Sequence, residues 1–353
     1  MPQRDLKRPK SRQRARMSTT RSAMQNGITA ASLLYAAGLV VLTILNIVGP
    51  DHTWIGSLNL YMPQWIWLLP GFPLLAITFV FARHRLWIPL VCLLWAAGPI
   101  MGFCWRLPAG ERHEPGVHLR IMTYNVKDGN RDADAIISDV QKFHPDVVQM
   151  QDSGSVLKGS IRSALADWSY SPSGQYHIFT RQPIIVKSES CNISFPHSSP
   201  HHCVRTTLKI GGKQVILYNV HLLSPRYGLV NVRHLHVSPI RQNTADRLYE
   251  AGRLAESLRE ERDPFLLTGD LNAPVQSEVC RQLFDVGLRD AFSEAGQGYG
   301  YTYGQYTRLR FPYVRIDHIM FTAPWQVQAC WTGNNSGSDH SPVIADLFLP
   351  ANR

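Results

Sequence analysis

The chain has 353 residues, 44% of them apolar, and a formal net charge of +10. A uniformly basic surface would point to nucleic acid, but residues 1–25 carry a net +7, residues 26–105 a net +1 and residues 106–353 a net +2. The large C-terminal region therefore has no basic footprint for a polynucleotide, and the long uncharged stretches ahead of it argue against a wholly soluble chain.

In chain order, residues 1–26 form a basic tail. Three apolar runs follow within 27–105: Gly27–Val48, Trp65–Ala82 and Leu86–Trp105. About 20 apolar residues cross a bilayer core as a helix, and Trp65, Trp67, Trp87 and Trp105 sit near run ends, where interfacial aromatics are expected. A cleaved signal peptide fits the first run poorly, because no small-x-small site follows "NIVGPDHT" and two more runs come after it. Three transmembrane helices are the expectation. The basic tail and the turn Arg83-His84-Arg85 are separated by two spans, so the positive-inside rule keeps both cytoplasmic. The third span then delivers the rest of the chain outside, making this a multi-pass protein of the cell (inner) membrane with an extracytoplasmic domain.

Residues 106–118 are polar, bear Gly and Pro, and read as a linker to a domain over 119–353. Within it, strands are expected at Leu119–Asn125, Val147–Gln151, across "YHIFTRQPIIVKSES", across "RTTLKIGGKQVILYNVHL" with a hairpin at Gly211-Gly212, at "FLLTGD", "VRIDHIMFT" and "PVIADLFL". Helices are expected over "DADAIISDVQKF", over Ile240–Arg262 and over "SEVCRQLFDVGLRDAF". The fold class is α/β in stacked layers. Of the four cysteines in this region, Cys191, Cys203, Cys280 and Cys330, the pairing Cys191–Cys203 would close the shortest loop, and buried free thiols are the equal alternative.

Polar residues recur where apolar strands end. "IMTYNV" carries Asn125, "VVQMQD" Asp152, "ILYNVHL" His221, "LLTGDLN" Asp270 and Asn272, "RIDHIMF" Asp317, and "SDHSPV" Asp339 and His340. Each alone is ordinary turn chemistry. Together they supply four carboxylates, two carboxamides and two imidazoles, an oxygen-rich set suited to Mg²⁺ or Mn²⁺ rather than zinc. There is no Walker loop, G-x-S-x-G elbow or Rossmann fingerprint.

This ordered set resembles the endonuclease/exonuclease/phosphatase superfamily of deoxyribonuclease I-like enzymes, from about Leu119 to Leu349. The three-span N-terminus is similar to bacterial membrane-tethered members, including teicoplanin-resistance-type proteins. The resemblance implies a four-layer α/β/β/α sandwich and metal-dependent phosphoester hydrolysis. It implies metal ligation by Asn125, Asp152 and Asp339, and a phosphate contact or leaving-group protonation by His221. It implies water activation by Asp270 with Asn272 on the phosphate, and a histidine His340 oriented by Asp317. One position departs from the pattern: the family has Glu where this chain has Asp152, one methylene shorter. The substrate class expected from a membrane tether is a lipid-linked or small phosphoester. An extracytoplasmic nuclease and a catalytically silent binding module are the alternatives. The aromatic stretch Gly298–Phe311 and Arg226, Arg233, Arg308 and Arg310 are further candidates for substrate contact.

Overall fold

A computed structural model describes residues 9–106, 115–129, 131–156, 159–181, 184–194, 202–232, 237–304, 311–334 and 336–351. Arg233, Arg308 and Arg310 lie outside these residues. The chain divides into two compact units, Met1–Leu45 with Gln64–Phe103, and Asn46–Pro63 with Cys104–Arg353.

Four helices precede residue 104: α1 (Pro9–Val48), α2 (Trp54–Leu60), α3 (Gly71–Phe81) and α4 (Trp87–Trp95). Among the described residues, two helical stretches are long and apolar enough to cross a membrane, Thr19–Val48 and Gln64–Phe81. The third apolar run is helical over a shorter length. α4 passes into a π-type turn at Ala96–Ile100 containing Pro99, which has no backbone N–H to continue the ladder. In the first unit, Leu39 and Leu42 of α1 pack with Cys92, Ala96 and Ile100. Arg85 donates to the Gln25 carbonyl, Asn26 Oδ1 and Thr29 Oγ1. The Arg83–Arg85 turn therefore lies at the same end of the helical hairpin as the polar N-terminal part of α1.

The second unit runs β1 (Cys104–Trp105), β2 (Gly116–Asn125), α5 (Ala133–Phe143), β3 (Val147–Gln151), α6 (Ser160–Ala164), β4 (Ser169–Ser173), β5 (Tyr176–Thr180), β6 (Ile184–Asn192), β7 (His202–Ile210), β8 (Lys213–His221), α7 (Arg226–Val232), α8 (Ser238–Arg259), β9 (Phe265–Asp270), α9 (Glu278–Phe284), β10 (Arg289–Asp290), α10 (Ala291–Ala295), β11 (Gln297–Gly298), β12 (Asp317–Phe321), β13 (Gln326–Thr332) and β14 (Val343–Pro350). One six-stranded sheet has the order β13-β14-β2-β3-β5-β4 and the other β10-β12-β9-β8-β7-β6. Each is antiparallel except for one central parallel pair, β2–β3 in the first and β8–β9 in the second.

Alternation along the strands builds the layers. In β2, Leu119 and Ile121, with Val343 of β14, face the other sheet, where they join Leu217, Leu266 and Ile319 in the central core. Met122 and Tyr124 face the opposite way and meet Ile136 and Val140 of α5. In the second sheet Ile216, Tyr218 and Leu267 pack outward on Ala251, Leu254 and Leu258 of α8. Strands buried on both faces read as near-continuous apolar runs. The result is the expected α/β/β/α sandwich.

Two departures from the sequence reading stand out. "SEVCRQLFDVGLRDAF" is not one helix: α9 ends at Phe284, Gly287 takes a left-handed φ of 95°, and Asp290 caps the separate α10. The second departure is that residues 46–63, between the first two apolar runs, belong to the sandwich unit. Asp51 accepts from the Glu278 amide at the start of α9 (2.7 Å), and Leu60 and Tyr61 pack with Tyr303, Tyr313, Val314 and Ile316. All six cysteines are free thiols, with Cys191 and Cys203 directly opposite each other on β6 and β7.

Candidate active site

The site forms where the carboxyl ends of both parallel pairs meet. Register alone sets half of it. His221 ends β8 beside Asp270, which ends β9, and Asp317 opens β12 on the other side of Asp270. Three titratable side chains thus form one row across the second sheet. The first sheet supplies Asn125 at the end of β2, whose Nδ2 donates to Asp270 Oδ2 at 3.0 Å. Asp339 and His340 arrive just before β14.

Asp270 is the hub. Its Oδ1 accepts the Asn272 backbone amide at 2.8 Å, and its Oδ2 lies 3.6 Å from His221 Nε2 and 3.7 Å from His340 Nε2. Burial, reinforced by the charge of Asp317, pushes its pKa above the usual carboxylate value, against the pull of His340 and His221. His340 Nδ1 donates to Asp317 Oδ2 at 2.9 Å. Burial opposes charging this imidazole, but Asp317, Asp270 and Asp339 outweigh it and raise its pKa to about 9. His221 Nδ1 faces Gln175 Oε1 at 2.8 Å; a carbonyl oxygen only accepts, so Nδ1 carries the proton.

The turn after β9 is fixed tightly. A Cβ on Gly269 (φ 143°) would lie 1.9 Å from the Val220 carbonyl oxygen, so only glycine lets β9 run this close to β8. Asn272 sits in the left-handed region (φ 49°), where Asn is better tolerated than most residues. One of its side-chain N–H groups goes to the Leu222 carbonyl at 2.8 Å.

Next to His340 in the chain, Asp339 is buried and pairs with the ammonium of Lys127. Asp152 follows β3 directly with φ 46°, its carbonyl accepting the Asp128 amide at 2.5 Å. Asn125, Asp152 and Asp339 offer hard oxygen donors, chemistry that fits Mg²⁺ or Mn²⁺, and the Asp339 carboxylate is paired here with the Lys127 ammonium. Asp270, Asp317 and His340 form a second, buried group whose ligand atoms lie within 4.8 Å of one another. The hydrogen bond between His340 and Asp317, the 3.7 Å approach of His340 Nε2 to Asp270 and the raised His340 pKa make this an acid–base cluster in its own right.

Several residues of the site were not singled out from sequence. Gln175, which faces His221 Nδ1, is one of them, whereas the Tyr303 ring, 4.6 Å from that of His340, belongs to the aromatic stretch already expected near the site. Beneath the site Gln151 donates to Thr123 Oγ1 (3.0 Å) and Asn219 Oδ1 (2.7 Å), joining the two sheets. The available signal was polar residues at inward-facing positions 149 and 151 of a fully buried strand. Arg226 is exposed, and Gly298–Gly304 leads up to Tyr303; the rest of that aromatic stretch as far as residue 310 lies outside the described residues.

The endonuclease/exonuclease/phosphatase family model matches residues 122–340. Among solved structures, an endonuclease/exonuclease/phosphatase family protein from Bacteroides thetaiotaomicron is 19% identical with a TM-score of 0.54, covering 67% of this chain and 100% of its own. A mannosyl-6-phosphatase from the same organism is 19% identical with a TM-score of 0.52, covering 65% and 100%. A 3′ phosphatase from Neisseria, bound to a product DNA hairpin, is 18% identical with a TM-score of 0.50, covering 64% and 98%. No curated protein sequence is a significant match. With its motif residues gathered at the meeting ends of two six-stranded sheets, the chain belongs to the endonuclease/exonuclease/phosphatase family.

Proposed function

We propose that the protein is a membrane-tethered, Mg²⁺- or Mn²⁺-dependent phosphoester hydrolase, facing outward, that acts on a lipid-linked or small phosphoester. The observation that carries the chemistry is the convergence of Asn125, His221, His340 and the Asn272 amide on the two oxygens of Asp270. Hydrolysis at phosphorus needs an aligned water and compensation for charge on the phosphoryl oxygens. Asp270 aims the water. His340, held by Asp317, presents Nε2 as a cationic donor to a phosphoryl oxygen, and Asn272 supports the same group. His221, its Nδ1 proton fixed by Gln175, contacts the phosphate or protonates the leaving oxygen through Nε2. Asn125, Asp152 and Asp339 would hold the divalent ion, which would supply further neutralisation of phosphate charge.

Two observations support the membrane reading. The Arg83–Arg85 turn is bound to Gln25–Thr29, so this positive turn sits at the end of the helical hairpin from which the basic tail leads away in sequence, the arrangement the positive-inside rule favours for a cytoplasmic face. Residues 46–63 and 104–353 form one body. If Thr19–Val48 and Gln64–Phe81 each cross, the chain must cross back within 82–103 to rejoin that body. The short helical stretch there is about 21 Å long at 1.5 Å per residue, and flanking residues and local thinning accommodate the mismatch. The near-neutral charge of residues 106–353 favours a small or lipid-linked substrate over a polynucleotide.

The test is the full chain in detergent or nanodiscs, assayed with a phosphodiester, a phosphomonoester, a lipid pyrophosphate and single- and double-stranded DNA, with Mg²⁺, Mn²⁺ or EDTA. Metal-dependent turnover of a small or lipid-linked ester is expected, with Asp270→Ala and His340→Ala each reduced by roughly a hundredfold or more. Preferential cleavage of DNA with a steep salt dependence would establish the nuclease alternative. Absence of turnover on every substrate would leave a binding module, and wild-type rates in both variants would overturn the roles given to Asp270 and His340.

A further inference from the structure

We propose that the segment between the first two apolar runs is a working part of the catalytic domain, and that Tyr61 within it acts with Arg247 as a positioning pair for the Asp270–Asn272 turn. The proposal rests on the hydrolase reading for its kinetic consequence, but its structural half stands apart from that reading.

The contacts run in an unbroken chain. The Tyr61 hydroxyl donates to the Asn272 carbonyl oxygen at 2.9 Å, and Arg247 Nη2 donates to the same oxygen at 2.8 Å. Both lone pairs of that carbonyl are thereby used. Arg247 also donates through Nε to the Leu223 carbonyl at 3.1 Å, and its guanidinium lies 5.3 Å from the centre of the Tyr61 ring. One residue thus links the connector, α8, the segment after His221 and the turn after Asp270. Asn272 is held in a left-handed conformation, and its amide donates directly to Asp270 Oδ1. If Asn272 swings, one oxygen of the Asp270 carboxylate loses its donor and the other, on Asn125, becomes the pivot.

The same connector reaches the other side of the site. Leu60 and Tyr61 share an apolar cluster with Tyr303 and Ile316. Tyr303 lies against His340, and the Ile316 carbonyl accepts the Leu271 amide at 2.9 Å. The connector is itself anchored. Thr53 caps α2 by accepting the Gly56 amide at 3.0 Å, and Arg281 Nη2 donates to the Ile47 carbonyl at 2.8 Å. Tyr61 and Arg247 are both buried, 3% and 2% exposed. A peripheral covering loop would not deliver a fully desolvated hydroxyl to a backbone atom two residues from the hub carboxylate.

The decisive experiment uses the full chain in nanodiscs, with turnover measured on a phosphoester with Mg²⁺ and hydrogen–deuterium exchange read on peptides covering 269–274. Tyr61→Phe removes one hydroxyl and keeps the ring. We expect kcat to fall by roughly tenfold with KM nearly unchanged, faster exchange at Leu271–Ala273, and unchanged exchange in α5. Arg247→Lys, which loses the fork, is expected to act in the same direction, and the double variant to fall short of the product of the two, since both donors serve one oxygen. Should Arg247→Lys fail to fold, Tyr61→Phe decides alone. Wild-type kcat with wild-type exchange at 271–273, or a loosening spread evenly over the domain, would overturn the proposal. If the unmodified protein hydrolyses nothing, the hydrolase reading fails, while the exchange data still decide whether the connector holds the turn.

Discussion

At the scale of single residues, the site depends on positions that carry no functional group. Gly269 has no room for a methyl group, because the Val220 carbonyl of the neighbouring strand occupies it. Gly269→Ala must separate β8 from β9 and so pull His221 away from Asp270. We expect it to destabilise the domain by roughly 1–3 kcal/mol from overpacking, before any backbone strain is added, and to lose activity beyond the loss of fold. Thermal melting and turnover measured on the same preparation check this, and a variant matching the wild type in both would contradict the close approach. The motif residues that the fold gathers were legible in sequence because each interrupts or follows an apolar strand. Their supporters Gln175 and Tyr176 were not, because a glutamine in a turn or a tyrosine opening a strand has no distinguishing local pattern. Tyr176, for example, reveals its role only when its hydroxyl is seen accepting the His221 amide at 3.1 Å.

At the scale of elements, a buried ionic group behind the Asp270–Asn272 turn does structural work. Arg315 Nη1 donates to Asp290 Oδ1 at 2.6 Å, and His318 lies between Asp290 Oδ2 and the Ala273 carbonyl, 2.9 Å from each. It therefore ties β10 and β12 to the residue following Asn272. Burial disfavours the Asp290 charge, but Arg315, with hydrogen bonds from His318 and Ser293, overrides it and holds the carboxyl well below its ordinary range. A depressed folded-state pKa adds stability that is fully present above the unfolded value of about 3.9 and is lost as pH falls through the folded one. Asp290→Asn should lower stability at neutral pH by roughly 3–5 kcal/mol, and the gap to wild type should narrow below about pH 4. Denaturant melts at pH 7, 5 and 3 test this; a gap that stays constant across that range would rule the linkage out. Element boundaries followed the sequence where burial enforced periodicity, as in Val147–Gln151 and Phe265–Asp270. Ser169–Ser173 and Gln326–Thr332 were missed because they are the partly exposed edge strands β4 and β13, and β13 also shifts register between Val327 and Ala329.

At the scale of the whole molecule, sequence conveyed the sandwich and the apolar N-terminus but not the shared ownership of residues 46–63. Nothing local marks "GPDHTWIGSLNLYMP" as part of a domain that resumes some 40 residues later. It is polar enough to pass for a loop, and its partners in α8, α9 and the Tyr303 segment are distant in sequence. A topology map with single cysteines in a background free of the native ones follows from this. Positions in 49–53 and in 255–262 should be labelled by an impermeant reagent from the same, outer side, and positions beside Arg83 only after permeabilisation. Labelling of 49–53 and 255–262 from opposite sides would be incompatible with a single folded body.

The discontinuity of the domain also bears on how it is made. Residues 46–63 leave the ribosome about 180 residues before Arg247 and 240 before Tyr303, so the connector's burial partners do not yet exist when it is first exposed. Contacts of such separation form late and slowly. Until then the connector must wait, held only by the apolar helices on either side of it. A complete site therefore forms only once the last strand has been made, with Asp339 and His340 just ahead of it, so a chain halted before them never gathers the whole constellation.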